Sequence, residues 1–484
     1  MAGKVIKTLR DFPSVEQLLQ DNSLRRLVAL VPRALAVEII REVVARAKRH
    51  FKSGRETLTV SHLKEQITME LLAAKRTEVT RVINATGIVV HTNLGRSPLP
   101  EQYLDAVREL VTGYSSIEFD LHTGARGGRG AACERYLTLL AGSEAATIVN
   151  NCAAALLLIL NTLANRKEVL ISRGELVQIG GGFRIPDILR KSGARLVEVG
   201  TTNITTLDDY RNVLGPRAGL ILKVHKSNFI QAGFTQEVPL RSLVELGRTH
   251  GVPVANDLGS GAFVPTRELI GHDEPTVQQS VRDGADLTCF SGDKMVGGVQ
   301  AGLIVGRADW ITKIKRNPLF RTVRVDKFVF AMLERLLSAY LDGHQREEIK
   351  LWQLLSVSES QLYRRGRQVL KELGAPPALS VEATQAYVGG GALPEKHVPS
   401  VGIVFSTDYN AEKLMEDFRT MAPPVIGRID NDRFILDLRA VFESELPLLR
   451  ESIQKIVGRV SPRPAGSRDH REAVTKVDLL RNGQ

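Results

Sequence analysis

The 484-residue sequence predicts an α/β fold: a mainly parallel sheet of roughly seven strands, preceded by a helical N-terminal domain and followed by a small α+β C-terminal domain. Three observations predict it. Between residues 84 and 335, short apolar or β-branched runs alternate with helical stretches and glycine turns, as in strands buried on both faces. The first 80 residues instead carry apolar positions at helical spacing. Beyond 335, a long amphipathic stretch gives way to isolated strand-like runs and a last helix.

The N-terminal domain, 1–80, opens with Pro13 and a Ser14/Gln17 capping box. Residues 32–51 place Leu35, Ile39, Ile40, Val43, Val44 and Ala47 on one face, with Arg33, Glu38, Arg41, Arg46, Lys48 and Arg49 opposite. A helix from Ser61 turns Leu63, Ile67, Leu71 and Leu72 inward. The large domain, 81–335, draws its strands from 146–149, 169–172, 195–199, 219–224, 252–256, 287–290 and 302–305. Around the start of the third part, 336–460, residues 333–373 read as a long helix with a break or bend. Strands at 401–405 and 433–438 and a helix at 445–457 follow. The tail, 461–484, is polar, is broken by Pro462 and Pro464, and reads as mobile.

Composition narrows the class. With 43% hydrophobic and 25% charged residues, the chain is neither disordered, collagenous nor membrane-embedded. Cys133, Cys152 and Cys289 are too few and too far apart in sequence for a disulfide framework or a zinc cluster, so no metal is expected and a reduced, cytoplasmic protein is. Charges in residues 1–20 stand where a signal peptide needs an apolar core, and the apolar run 153–160 is too short to span a membrane. Residues 1–80 hold 15 Lys and Arg against 9 Asp and Glu; this net +6 is more than half of the chain's +11. A basic helical domain suits a polyanion, although an oligomerisation module with a solvated basic face has the same composition.

Ser291-Gly292-Asp293-Lys294 follows the run 287–290 and precedes Gly297-Gly298. A lysine at the carboxyl end of a parallel strand stands where α/β sheets bind ligands. Its amine can condense with an aldehyde cofactor, usually pyridoxal phosphate. Alone, such a Gly-x-Lys is more often a surface lysine in a turn; its partners change the reading. Asp257 follows the run 252–256, 37 residues earlier, placed to meet the cofactor's ring nitrogen, whose protonation makes the ring an electron sink. Asn151, Cys152 and Ala153 pass from strand to helix, so their N–H groups suit the cofactor phosphate, and Ser291 can add a hydroxyl. Arg96 closes the extended stretch before it. Arg321 and Arg324 put two guanidinium groups three residues apart, on one face if helical, suited to a second oxyanion or to ordinary surface ion pairs.

These segments resemble bacterial selenocysteine synthase, the L-seryl-tRNA(Sec) selenium transferase family. The resemblance is carried in order by Ile83-Asn84-Ala85-Thr86-Gly87 with His91-Thr92-Asn93-Leu94-Gly95-Arg96, by Ser172-Arg173-Gly174-Glu175 with Phe183-Arg184-Ile185-Pro186-Asp187, and by Lys223-Val224-His225, Phe290-Ser291-Gly292-Asp293-Lys294 and Gly389-Gly390-Gly391. It covers roughly residues 10–460. It implies a fold-type-I pyridoxal-phosphate-dependent transferase in which Lys294 carries the cofactor, His225 adjoins it and Asp293 is an active-site aspartate. Arg96, Arg321 and Arg324 then hold the phosphate part of selenophosphate. The implied reaction is β-elimination of the serine hydroxyl of seryl-tRNA(Sec) to an aminoacryloyl-tRNA, followed by selenium addition. The family assembles as a decamer, a pentamer of dimers with active sites between subunits, and its N-terminal domain binds the tRNA. This sequence departs from the family at Cys152, where another Asn is usual, at Val299, where Pro is common, and at Lys226, where a small hydroxyl residue is usual. The alternatives are a pyridoxal-phosphate ammonia-lyase of a phosphorylated sugar acid, whose relatives lack the helical domain, and a catalytically dead RNA-binding scaffold.

Overall fold

The computed structural model describes residues 5–52, 58–76, 78–389 and 391–458, in two compact units, Met1–Arg81 and Val82–Gln484. The expected mobile tail, 461–484, lies outside the described residues, as does Gly390.

The first unit packs the helices Val15–Leu19, Arg25–Val28, Arg33–Lys52 and Val60–Arg76 around Leu18, Ile40, Val43, Leu63, Ile67 and Leu71. The Ser14/Gln17 capping box forms. The inward stripe of Arg33–Lys52 is Ala36, Ile40, Val43, Val44 and Ala47, a strict i, i+4, i+7, i+8, i+11 row. Leu35, expected inward, is therefore exposed, and so is Leu72 on Val60–Arg76.

The second unit is built on a seven-stranded sheet: β1 (Ala145–Val149), β2 (Glu168–Ser172), β3 (Arg195–Val199), β4 (Ala218–Val224), β5 (Val254–Gly259), β6 (Leu287–Ser291) and β7 (Gly302–Gly306). Their spatial order is β1-β7-β6-β5-β4-β2-β3, with every pairing parallel except those of β7, which runs against both β1 and β6. β2, β6 and β7 are buried at every position because helices cover both faces of the sheet. Six strands thus bring their carboxyl ends to one edge.

Two differences from the sequence reading concern the ends of this unit. Ile83–Asn84 pairs with Val425–Ile426, and Ile88–Val90 with Tyr387 and Gly389, so the residues read as opening the large domain join the C-terminal sheets. The long helix read at 333–373 is four helices, Lys327–Leu341, Gln345–Glu348, Lys350–Ser356 and Glu359–Glu372. The first ends at Gly343, whose φ of 77° leaves the helical region. Fully buried Trp352 then folds the third back onto the first by donating its indole N–H to the Tyr340 hydroxyl at 2.6 Å.

Candidate active site at the carboxyl edge of the sheet

Asp257 and Cys289 are direct cross-strand partners on β5 and β6, so their side chains share one face. That face meets the start of the helix Cys152–Ala164. Asp257 Oδ1 accepts hydrogen bonds from the thiols of both Cys152 and Cys289, each at 3.6 Å. Asp257 as a whole residue is 7% exposed. Burial pushes its pKa above the ordinary carboxylate range, opposed by the Lys294 charge, the two thiols and His225. The expectation that the cysteines lie too far apart to cluster is corrected here: Cys152, Asp257 and Cys289 present ligand atoms within 4.8 Å of one another. Strand register, invisible in the sequence, joins them. Cys133 is elsewhere, donating to the Phe330 carbonyl.

Lys294 sits in the turn after β6 and is 7% exposed. Among the described residues its Nζ makes no hydrogen bond and no ion pair within 4.0 Å. The segment after Leu379–Gly389 closes over it: a Cβ on Gly391 would stand 2.9 Å from Nζ and 3.3 Å from Ser227 Oγ, and φ there is 78°. Only glycine permits that approach.

Asn151 caps the helix Cys152–Ala164, its side chain accepting from the Ala154 N–H at 2.8 Å. Helix geometry leaves the Cys152 and Ala153 N–H groups without intrahelical acceptors. Ser291 ends β6 opposite Gly302 of β7, and a Cβ on Gly302 would stand 2.1 Å from the Asn151 carbonyl oxygen. The absence of that carbon seats this loop against the sheet. His225 follows β4, donates its N–H to the Asp257 carbonyl at 2.9 Å, and brings Nε2 to 3.3 Å from Glu274 Oε1. Buried Glu175 ties down the end of β4, pairing with Lys223 Nζ at 3.0 Å and accepting from the Val224 N–H at 2.9 Å. The charge of Lys226 is met by Glu237 at 3.2 Å and the Gln231 amide at 2.9 Å.

Arg96 lies beyond a tight turn in which Gly95 and Arg96 have φ of 92° and 64°. Its guanidinium pairs with Asp293 Oδ2 at 2.5 Å, and Ser97 Oγ donates to the Lys294 carbonyl at 2.8 Å, joining this loop to the lysine turn. Arg96, Ser97, Asp293, Val299 and Gln300 help line a cavity of about 480 Å³. Arg321 and Arg324 do not line it. Nor do they share a helical face: the helix Pro318–Thr322 stops before Val323, whose carbonyl instead accepts from the Asn150 N–H at 2.9 Å. Arg321 is exposed, and Arg324 lies 4.0 Å from Glu118. The tertiary bond at Val323 overrides local helix propensity.

Cys289, Ser227 and Glu274 escape the sequence reading. The first is an apolar-looking member of a strand, Ser227 is a serine two residues beyond His225 with no motif of its own, and Glu274 is joined to the site only by a chain crossover.

Residues 82–442 match the family described as L-seryl-tRNA selenium transferase, and residues 9–47 match that described as selenocysteine synthase N terminal. A protein of Geotalea uraniireducens named L-seryl-tRNA(Sec) selenium transferase is 43% identical over 457 residues, covering 93% of this chain and 99% of its own. One of the same name from Aquifex aeolicus is 40% identical, covering 88% and 95%. Among solved structures, D-glucosaminate-6-phosphate ammonia-lyase superposes with a TM-score of 0.58 at 19% identity, over 80% of this chain and 98% of that one, a likeness of fold.

Proposed function

The chain belongs to the L-seryl-tRNA selenium transferase family, and from that membership we propose that Lys294 and Asp257 hold pyridoxal phosphate for the conversion of seryl-tRNA(Sec) to selenocysteinyl-tRNA(Sec). The fold is that of fold-type-I enzymes, and the family match at both 9–47 and 82–442 disfavours the sugar-acid ammonia-lyase.

One observation carries the cofactor assignment. Among the described residues, Asp257 is a buried carboxylate with only thiols as side-chain hydrogen-bond donors, facing a buried lysine amine without an acceptor. A protonated ring nitrogen would supply the missing counter-charge, and an aldehyde the missing partner for Nζ. Asn151, Cys152, Ala153 and Ser291 would hold the phosphate, with His225 beside the ring. When bound, pyridoxal phosphate supplies the electron sink that makes the serine α-proton removable and lets the β-hydroxyl depart. Lys294 Nζ takes the α-proton as general base, while Asp257 keeps the proton on the ring nitrogen. Asp293 orients Arg96 across the cavity, where the guanidinium binds the phosphate of selenophosphate. Arg321 and Arg324 complete that grip from a neighbouring subunit in a decameric ring, consistent with active sites between subunits in the family the sequence resembles.

The exposed basic face of Arg33–Lys52 is assigned to the tRNA backbone. No helix among the described residues is long and apolar enough to cross a membrane, and a tRNA substrate points to the cytoplasm. The test is conversion of seryl-tRNA(Sec) by purified protein with selenophosphate present and omitted, for wild type and Lys294→Ala. The variant should lose the visible absorbance of bound pyridoxal phosphate and all measurable conversion; absorbance and turnover retained in it overturn the assignment.

A further inference from the structure

Two sulfurs and one carboxylate oxygen converge at the floor of the site. Asp257 Oδ1 lies 3.6 Å from both Cys152 Sγ and Cys289 Sγ, and all three ligand atoms fall within 4.8 Å of one another. A tetrahedral centre with zinc–sulfur bonds of about 2.3 Å and a zinc–oxygen bond of about 2.0 Å sets its sulfur–oxygen edges at roughly 3.5 Å. Both observed sulfur–oxygen edges, 3.6 Å each, match that value, and the two sulfurs lie within 4.8 Å of one another. The donor set is soft and anionic, the preference of zinc and cadmium over magnesium or calcium. Asp257 and Cys289 are held in register on adjacent strands, and Cys152 is fixed in the first turn of a capped helix. The carboxylate is more than nine-tenths buried, with no cationic side chain in hydrogen-bond contact among the described residues.

We propose that Cys152, Asp257 and Cys289 form a binding site for one soft divalent cation, zinc or cadmium, that excludes pyridoxal phosphate. Binding releases both thiol protons to solvent, leaving two thiolates and one carboxylate around the metal. The resulting single excess negative charge faces Lys294, whose charge already acts on Asp257. The cation takes the carboxylate that the ring nitrogen would otherwise engage, so metal and cofactor compete. The competition rests on the cofactor reading above; the cation site itself does not.

The experiment titrates cadmium into the full-length, reduced protein after removal of pyridoxal phosphate with hydroxylamine, reading the ultraviolet thiolate-to-cadmium absorbance. One cadmium per chain is expected in wild type and in Cys133→Ala, with the band lost in Cys152→Ser and in Cys289→Ala. Cys152→Ser changes one atom at a half-exposed helix start, so it decides the matter even if Cys289→Ala fails to fold. Saturating pyridoxal phosphate should erase the band, and one equivalent of cadmium should raise the apparent Kd for pyridoxal phosphate at least tenfold in wild type but not in Cys152→Ser. No band in wild type, a band that survives in Cys152→Ser, or a band indifferent to pyridoxal phosphate overturns the proposal. If wild type without metal shows no visible absorbance with pyridoxal phosphate, the cofactor reading fails instead, while the cadmium band still reports on the trio.

Discussion

At the residue scale, Asp257 is a buried carboxylate held by two thiols. Burial raises its pKa, so the folded chain holds this proton more tightly than the unfolded chain does. The sign follows: its contribution to stability is present at low pH and lost as pH rises from about 4, the unfolded carboxylate value, through the raised folded value. Asp257→Asn removes that titration. The melting temperature of the cofactor-free wild type should therefore fall more steeply with rising pH than that of Asp257→Asn, and added pyridoxal phosphate should shrink the difference. The same substitution should leave visible cofactor absorbance through Lys294 but reduce conversion of seryl-tRNA(Sec) by about a hundredfold or more. Equal pH slopes in the two melting series would show that the carboxyl is not held up by burial.

Among the elements, the helix Cys152–Ala164 joins stability to the site through one cap. Asn151→Ala removes the bond to the Ala154 N–H and should cost about 1 kcal/mol, measured by denaturant unfolding. Asn151→Asp keeps a capping oxygen but sets a negative charge where the cofactor phosphate is assigned. Its stability should stay near wild type while its Kd for pyridoxal phosphate rises tenfold or more by absorbance titration. Gly302→Ala drives a methyl group against the Asn151 carbonyl; the strand must shift, at about 1–3 kcal/mol in the same unfolding measurement. The sequence reading of this strand and helix was accurate because their apolar runs are dense and bounded by turn residues. At 333–373 the expected break is present, but Gly343 and the Trp352–Tyr340 bond help divide the stretch into four helices rather than one bent helix.

On the scale of the whole molecule, the chain separates a basic helical unit from a catalytic one. Arg41 and Arg49 are exposed on Arg33–Lys52 and form no ion pair among the described residues. Arg41→Glu/Arg49→Glu should weaken tRNA binding in the full-length protein about tenfold at moderate salt and lower the slope of log K against log salt by about 2. Visible absorbance of bound pyridoxal phosphate should be unaffected. An unchanged salt slope would assign this face to solvent or to subunit contacts.

The α/β class, the approximate positions of all seven strands (one of them shifted, at Val254–Gly259 rather than 252–256), the Ser14/Gln17 cap and the order of the lysine, aspartate and arginine segments follow from periodicity and local chemistry, which the linear sequence contains. Pairing does not. That residues 83–90 close a C-terminal sheet, that Val323 is pulled out of helix by Asn150, and that Cys152 and Cys289 meet at Asp257 depend on strand register and crossovers. Those contacts link residues separated by 105 and 32 positions in the case of the thiols and Asp257. No local propensity encodes such a separation; it is set when the sheet chooses its neighbours to bury both faces.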